Sequence, residues 1–469
     1  MKQPDSSATA ESSGAAGGFS ALVARQRSFH AFADYRRRIP EHRRRRKAID
    51  RRLSVESRQG LDWTNFFVAD VQVGFGAFLA FYLANLGWSK QDIGFVLACG
   101  GIVGVIAQLP GGALTDAIRW KRALAATGVL MISIAALILA LWPSYPLVFV
   151  AAILHGMTAG IIGPAIASIS LGIAGQKSMS ARVGRNFRFA GAGNALTAGL
   201  MGALAAYVSI KAIFLTAAAL CVPTLIALRR IRPQDIDYGR ARNAGKRDHT
   251  LDIKRISELG RNRSLLVFTG CMMAFQLFNT SLLPIVGQNL GNDKAGPSPF
   301  FMAGMLIVPQ IIVALIAPWV GYWSDLRGRK TLLLFGIGVA ILRALLFAVT
   351  ADPRAMIAIQ VLDGITGGLI TVLTLLVITD LTAGTGRFNL AQGIFGLLTG
   401  ASAAAGAGIF GLVAQRFGDA TALISMAAGI ATGMALLYVY LPETRPEGIM
   451  DQDDKPESAT ASAPTPAAA

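Results

Sequence analysis

From Ala123 to Gln176 the chain carries no Asp, Glu, Lys or Arg, and similar charge-free runs extend from Ser264 to Asn292 and from Pro299 to Ser324. A helix crossing the hydrocarbon core of a bilayer needs about 20 consecutive apolar residues, so the first run is long enough to cross twice. Only a structure that satisfies its own backbone hydrogen bonds survives there, and helices are the expected solution. With 53% hydrophobic and 15% charged residues over the whole chain, the expectation is an all-α polytopic membrane protein.

Twelve transmembrane helices follow from the apolar runs, at roughly 62–86, 92–115, 122–141, 147–174, 187–208, 210–229, 264–288, 299–323, 331–350, 355–380, 388–415 and 419–441. The formal charge of +17 would fit nucleic acid, but the placement of the cations argues otherwise. With both termini on the inner side, the outer loops hold single cations, Lys90, Lys211, Lys294, Arg354 and Arg416, and Arg343 lies inside a span. The other Lys and Arg fall on inner segments, which sets the orientation with both termini in the cytosol. Cys99, Cys221 and Cys271 lie in apolar runs without paired spacing. They read as small buried apolar residues rather than as a disulfide framework or a metal site.

One turn is written twice. The clearer copy is Gly321, Tyr322, Trp323, Ser324, Asp325, Leu326, Arg327, Gly328, Arg329, Lys330. In the earlier copy Gly112 precedes Asp116 by four residues, and Arg119, Lys121 and Arg122 follow with one residue more. The two acids stand 209 positions apart, close to half the chain. Glycine permits close helix approach at the membrane surface, the carboxylate can meet a neighbouring helix terminus or an arginine, and the cations favour an anionic inner leaflet. This Gly-x-x-x-Asp pattern with a short basic turn, after the second and eighth spans, resembles the signature of the major facilitator superfamily of secondary transporters. The copies depart from it at Leu326, where a basic residue is usual, and at Arg119, where the turn glycine is expected. The resemblance covers roughly residues 60 to 442 and implies two pseudo-symmetric six-helix halves with a substrate site between them near the midplane.

On this reading residues 1–60 are a disordered basic cytosolic tail and 61–229 the N-terminal half. Residues 230–263 form a cytosolic linker, 264–442 the C-terminal half and 443–469 a second disordered tail. Nothing in the first tail has the apolar core of a signal peptide, so the first span is expected to direct insertion. Further landmarks repeat. His155-Gly156 in the fourth span matches Asp363-Gly364 in the tenth at an offset of 208. Gly184-Arg185-Asn186-Phe187 is matched with Gly386-Arg387-Phe388-Asn389 at an offset of 202, as though the second inner loop were shorter.

The resemblance also implies that spans one, four, seven and ten line the cavity. A charge at the bilayer centre costs about 2.5–3.5 kcal/mol on insertion scales and needs a reason to be there. Asp70 lies about eight residues into span one, about 12 Å deep at 1.5 Å per residue. A carboxylate that is dry in one conformation and wet in the other fits proton coupling; a structural hydrogen bond to a neighbouring helix is the alternative. Asp363 and Arg343 sit at nearly equal depth, which fits a buried ion pair, while Asp363 also fits a second proton site or a substrate contact. His155, in the equivalent position of span four, fits either a pH-responsive role or a neutral hydrogen-bonded histidine at a helix interface.

Gln276, Asn279 and Thr280 share one face of span seven with Phe275 beside them, and Gln360, Asp363 and Gly367 share one of span ten. With Gln72 in span one they would line a cavity of amides and aromatic rings for a small, partly apolar solute; helix-to-helix polar contacts are the alternative use. Pro110, Pro164, Pro284, Pro309 and Pro318 fall within spans and permit bends. The arginine that antiporter branches of the family often carry in span four is replaced by Ala152, and Gly163-Pro164 lies in span four rather than in span five.

The expected function is proton-coupled efflux of an amphipathic compound by alternating access, in the inner membrane of a bacterium. Asp70 carries the proton, and Asp116 and Asp325 close the cytosolic gate. Uptake of a small anion is the alternative if Arg188 points inward, and a non-transporting sensor with the same fold is another. An enzyme is not expected, because no nucleophile, base and oxyanion group recur at recognisable spacing. The partners expected are a small solute, protons and an anionic inner leaflet, with no nucleic acid, no cofactor and no metal, in a monomer.

Overall fold

The computed structural model describes residues 54–73, 76–244, 259–290, 299–350 and 352–444. The expectations for residues 1–53 and 445–469 of the two tails and for residues 245–258 of the linker lie outside the described residues, whereas the last residues of the expected first tail, from Val55 on, already belong to a helix. The rest is helical. In chain order the helices are α1 Val55–Val73, α2 Gly76–Asn85, α3 Lys90–Ala117, α4 Lys121–Leu141, α5 Tyr145–Ala174, α6 Met179–Tyr207, α7 Ile210–Ala219, α8 Cys221–Arg230 and the short turn α9 Tyr238–Ala241. They continue as α10 Arg263–Asn279, α11 Leu282–Leu290, α12 Pro299–Arg327, α13 Arg329–Val349, α14 Pro353–Leu381, α15 Phe388–Phe417 and α16 Asp419–Tyr440.

Local chemistry explains several boundaries. Ser89, Ser209, Asn262 and Asp352 each accept a backbone N–H in the first turn of the helix that follows, which satisfies a donor the helix leaves open. Gly328 and Gly418, both at positive φ, allow α12 to turn into α13 and α15 into α16 with almost no loop. Pro284, read as a kink in a continuous seventh span, instead sits in the first turn of α11 after a break at Thr280–Ser281. A proline is cheapest there, where its missing N–H would have no helical partner.

Ten helical stretches among the described residues are long and apolar enough to cross a membrane. Outside these ten are α1 with α2, and α6, which begins with Arg182, Arg185 and Arg188. The packing repeats along the chain. α3 packs on α5 as α12 does on α14, α1 on α6 as α10 does on α15, and α4 on α5 as α13 does on α14. Two further pairings, α3 with α15 and α6 with α12, join the early helices to the late ones.

These two junctions correspond residue by residue. A Cβ on Gly112 would lie 2.3 Å from the Asn389 carbonyl oxygen, and one on Gly321 2.3 Å from that of Ser180. Likewise Gly393 meets the Gln108 carbonyl and Gly184 that of Ala317, each too close for a side chain. Every one of these pairs has its counterpart 209 positions along. This corrects the match of Gly184 with Gly386: Gly386, at φ +69, is a turn residue, whereas Gly184 and Gly393 are helix-contact glycines. The second connection is longer rather than shorter, 382–387 against 175–178.

Candidate functional site: one closed end and a buried ion pair

The junctions are tight at the end of the bundle that carries the two turns. α3 and α15 stay in contact from Gly112 to Val105, which faces Gly400, while Gly94, Gly101, Gly408 and Gly411 toward the other end have nothing within 4 Å of a notional Cβ. α6 and α12 behave alike: Gly184 and Gly191 press on α12 backbone, Gly199 barely reaches Ile307, and Gly202 meets nothing. Asn194 Nδ2 donates to Gln310 Oε1 at 3.0 Å partway along this second junction.

Asp116 is the polar centre of the first junction. It is 1% exposed; Oδ1 accepts from Asn389 Nδ2 at 2.8 Å and Oδ2 from the Leu390 N–H at 2.8 Å. A carboxylate from α3 thus caps the N-terminus of α15, where open N–H groups and the helix dipole favour negative charge. Lys121, also buried, folds back and donates its Nζ to the Thr115 carbonyl. The other cations of this turn point outward from the junction. Arg119 lies over the Tyr238 ring at 5.4 Å, and Arg122 donates to the last carbonyls of α8, Leu228 at 3.1 Å and Arg229 at 3.3 Å.

The second copy has the same parts in a different arrangement. Asp325 pairs with Arg329 at 3.0 Å, and the same guanidinium reaches Asp380 at 3.1 Å, Ser324 Oγ at 2.9 Å and, across the junction, Ser180 Oγ at 3.1 Å. An arginine is therefore interposed where Asp116 bonds directly. Glu443 accepts the Arg329 N–H at 2.7 Å, and a Cβ on Gly328 would lie 2.4 Å from its carboxylate. Arg327 stacks over Trp323 at 4.6 Å and Lys330 lies over Tyr438 at 5.3 Å.

Two features of this end were not read from the sequence. Asp62, 2% exposed, pairs with both Arg182 and Arg185 of α6, the latter at 2.5 Å. Arg182 continues to Asn186 Oδ1 at 2.7 Å, and Asn186 to Ser170 Oγ at 2.7 Å. The second feature is a strap, residues 231–244 of the expected linker, laid across the closed end. Asp235 accepts from Ser57 Oγ at 2.6 Å, the Asp237 N–H donates to the Gly172 carbonyl at 3.2 Å, and the Ala241 carbonyl accepts from Ser168 Oγ at 2.8 Å. It then joins the α14–α15 connection: Asn243 Nδ2 donates to the Thr379 carbonyl at 2.7 Å, and the Phe388 N–H donates to the Arg242 carbonyl at 3.3 Å. The strap thus bonds to early and late helices alike.

In the interior, Arg343 of α13 pairs with Asp363 of α14 and donates to Asn279 Oδ1 of α10 at 2.7 Å. Arg343 is 4% exposed against 30% for Asp363, so the acid is the more accessible member of the pair. Gln360, expected on the cavity lining, is instead buried at 1% exposure, its Nε2 against Met305 Sδ at 3.6 Å, so it does not face a solute in this state. Phe275 does not line a cavity: it is 3% exposed in the core of the late helices, because one residue of helix turns it about 100° from Gln276. Gln276 is half-buried. His155 borders a cavity of about 510 Å³ between α2, α3 and α5, with Leu79, Val96, Gly100, Gly104 and Gly156. The side chains of Asp70 and Gln72 lie outside the described residues. No cluster of metal-binding side chains occurs among the described residues.

The family model described as Major Facilitator Superfamily matches residues 62–351 and 283–464. The chain belongs to the Major Facilitator Superfamily. It is also 34% identical over 390 residues to an uncharacterized MFS-type transporter found in two strains of Mycobacterium tuberculosis, a match covering 82% of this chain and 93% of the relative. Membership in the Major Facilitator Superfamily makes the protein a multi-pass membrane transporter and gives the turns around Asp116 and Asp325 their setting, the end of the bundle where early and late helices lock together.

Proposed function

We propose that the protein is a proton-coupled secondary transporter that exports a small amphipathic solute across a bacterial inner membrane by alternating access. The observation that carries this reading is the one-sided closure of two equivalent junctions. Helices that touch from Gly112 to Val105 and part beyond Gly101 form a bundle sealed at one end, and tilting one set of helices against the other would exchange which end is sealed. In this reading the sealed end, with Asp116, Asp325 and the strap, faces the cytosol, both termini lie on that side, and the early and late helices are the two moving bodies.

Asp70 is assigned the transported proton, Asp363 and His155 lie along its path, and Gln72, Gln276 and Asn279 contribute solute contacts. The half-exposed carboxylate of Asp363 beside a buried guanidinium supports a group whose hydration changes with conformation. Each proton moving down a potential of about 100 mV supplies about 2.3 kcal/mol, enough to drive a solute gradient of roughly fiftyfold. The apolar wall around His155 supports a partly apolar solute over a small anion.

The test is uptake of fluorescent amphipathic compounds into proteoliposomes under an imposed pH gradient, with wild-type protein and Asp70→Asn. Accumulation that needs the gradient and disappears in the variant is expected. Accumulation indifferent to the gradient would remove proton coupling, and no movement of any compound with either gradient sign would remove export.

A further inference from the structure

Between the ends of α4 and α8, beside the first basic turn and the strap, lies a groove of about 470 Å³. Its long wall is apolar: Ala123, Ala126 and Leu130 stand at i, i+3 and i+7 on one face of α4, opposite Leu225 and Leu228 of α8. Its mouth is cationic and aromatic, with Trp120, Lys121, Arg122, Arg229 and Tyr238, and among the described residues no carboxylate lines it. Trp120 is 75% exposed, an expensive place for an indole in water but the ordinary one at the headgroup level of a bilayer.

The arginine at the mouth is held in place. By donating Nε and Nη2 to the final carbonyls of α8, Arg122 keeps its charge at the rim of the groove. From Arg122 to Leu130 the wall runs eight residues, about 12 Å, the length of a glycerol backbone with the upper part of an acyl chain. A free anion would use the rim and gain nothing from the wall; an uncharged lipid would use the wall and leave the cations unmatched.

We propose that this groove binds one anionic glycerophospholipid. Its phosphate sits between Arg122 and Arg229, its glycerol against Trp120, and one chain along Ala126 and Leu130. Basic pockets between span ends on the anionic leaflet are suited to such headgroups, and here the proposal rests on the reading that this end faces the cytosol. Because Pro233 and Tyr238 of the strap also line the groove, a bound lipid buttresses the strap and with it the closed end.

The test is native mass spectrometry of the purified full chain in detergent, titrated with phosphatidylglycerol, phosphatidylcholine or inorganic phosphate. The variants are Trp120→Ala, Arg229→Gln, the two combined, and Arg416→Gln at the other end of the bundle; Arg122 is left intact because it caps α8. Wild type and Arg416→Gln are expected to retain phosphatidylglycerol over phosphatidylcholine by about tenfold, a difference of about 1.4 kcal/mol. The combined variant is expected to lose that preference with an unchanged melting temperature in lipid-free detergent. Equal retention of the two lipids by wild type, which needs no variant to fold, would overturn the proposal. So would a preference unaltered in the combined variant, or displacement of the lipid by millimolar phosphate. The measurement involves no transport, so a failed flux assay leaves it standing.

Discussion

Asp116 of α3 accepts the Leu390 N–H of α15 at 2.8 Å, so one carboxylate closes the first turn of a helix that begins more than half a chain later. The contact exists only while the two helices meet, and it therefore contributes to the closed end and to no other state. A charge at a partly buried helix N-terminus contributes up to about 2 kcal/mol. Asp116→Asn keeps the shape, loses the charge and offers an amide N–H₂ to N–H groups that need an acceptor. Opening of the closed end is expected to become roughly five- to thirtyfold more favourable. The check is the rate of thiol labelling at Leu390→Cys, a buried position, after replacement of Cys99, Cys221 and Cys271.

The glycines of the same junction give a steric version of the experiment. A side chain on Gly112 cannot coexist with the Asn389 carbonyl 2.3 Å away, nor one on Gly393 with that of Gln108 at 2.3 Å. Gly112→Val and Gly393→Val are expected to wedge this end open and to raise the same labelling rate at least as much as Asp116→Asn. Gly101→Ala lies on α3 where nothing is within 4 Å, and labelling there should stay at the wild-type rate. If Gly101→Ala matched the wedge variants, loss of helix-to-helix contact would not be the cause.

The sequence carried the closed end in part. Gly112, Asp116, Gly321 and Asp325 were legible because a glycine and an acid at fixed spacing beside a basic turn have few structural uses at a membrane surface. Their partners were not. Asn389 stands inside a stretch that was read, but matching it through Gly386 put it in the wrong register; a glycine at positive φ and a glycine under a crossing helix look the same as letters. Asp62 stands at the first position of a span, where an acid is normally solvated, and its cations are 120 or more positions away. The strap was legible only as polar composition, since its docking runs largely through backbone groups at Gly172, Ala241, Arg242 and Thr379.

That missed acid yields a stability prediction. Asp62 is buried between Arg182 and Arg185, and Arg182 is itself buried with a 6% exposed side chain. Removing the carboxylate leaves a guanidinium out of water with no counter-charge, a change that typically costs about 3–5 kcal/mol. Asp62→Asn is expected to lower the unfolding temperature in detergent clearly. Asp62→Asn with Arg182→Gln should recover most of the loss, because the double change removes both charges. Glu56→Gln, which breaks the exposed pair with Arg232, should be near neutral. An unfolding temperature unchanged in Asp62→Asn would mean that Arg182 finds water without it.

The interior pair of Arg343 and Asp363 admits two roles, and their exposures separate the experiments. Arg343 is nearly dry and also donates to Asn279 at 2.7 Å, whereas Asp363 keeps 30% of its side chain open. If the acid serves only to neutralise the arginine, Asp363→Asn leaves a buried cation at membrane depth and destabilises the fold. Replacing both residues by leucine should then restore stability and transport together. If Asp363 also takes up a proton during the cycle, the leucine pair restores the unfolding temperature while pH-gradient-driven flux stays lost, and the residual flux becomes indifferent to the gradient. The second outcome is expected, because a carboxylate needed only as a counter-charge has no reason to be the more accessible member of its pair. The measurement is a thermal melt and a flux assay on the same preparations of Asp363→Asn, Arg343→Leu and the double variant. Recovery of both properties in the double variant would take the proton path away from Asp363.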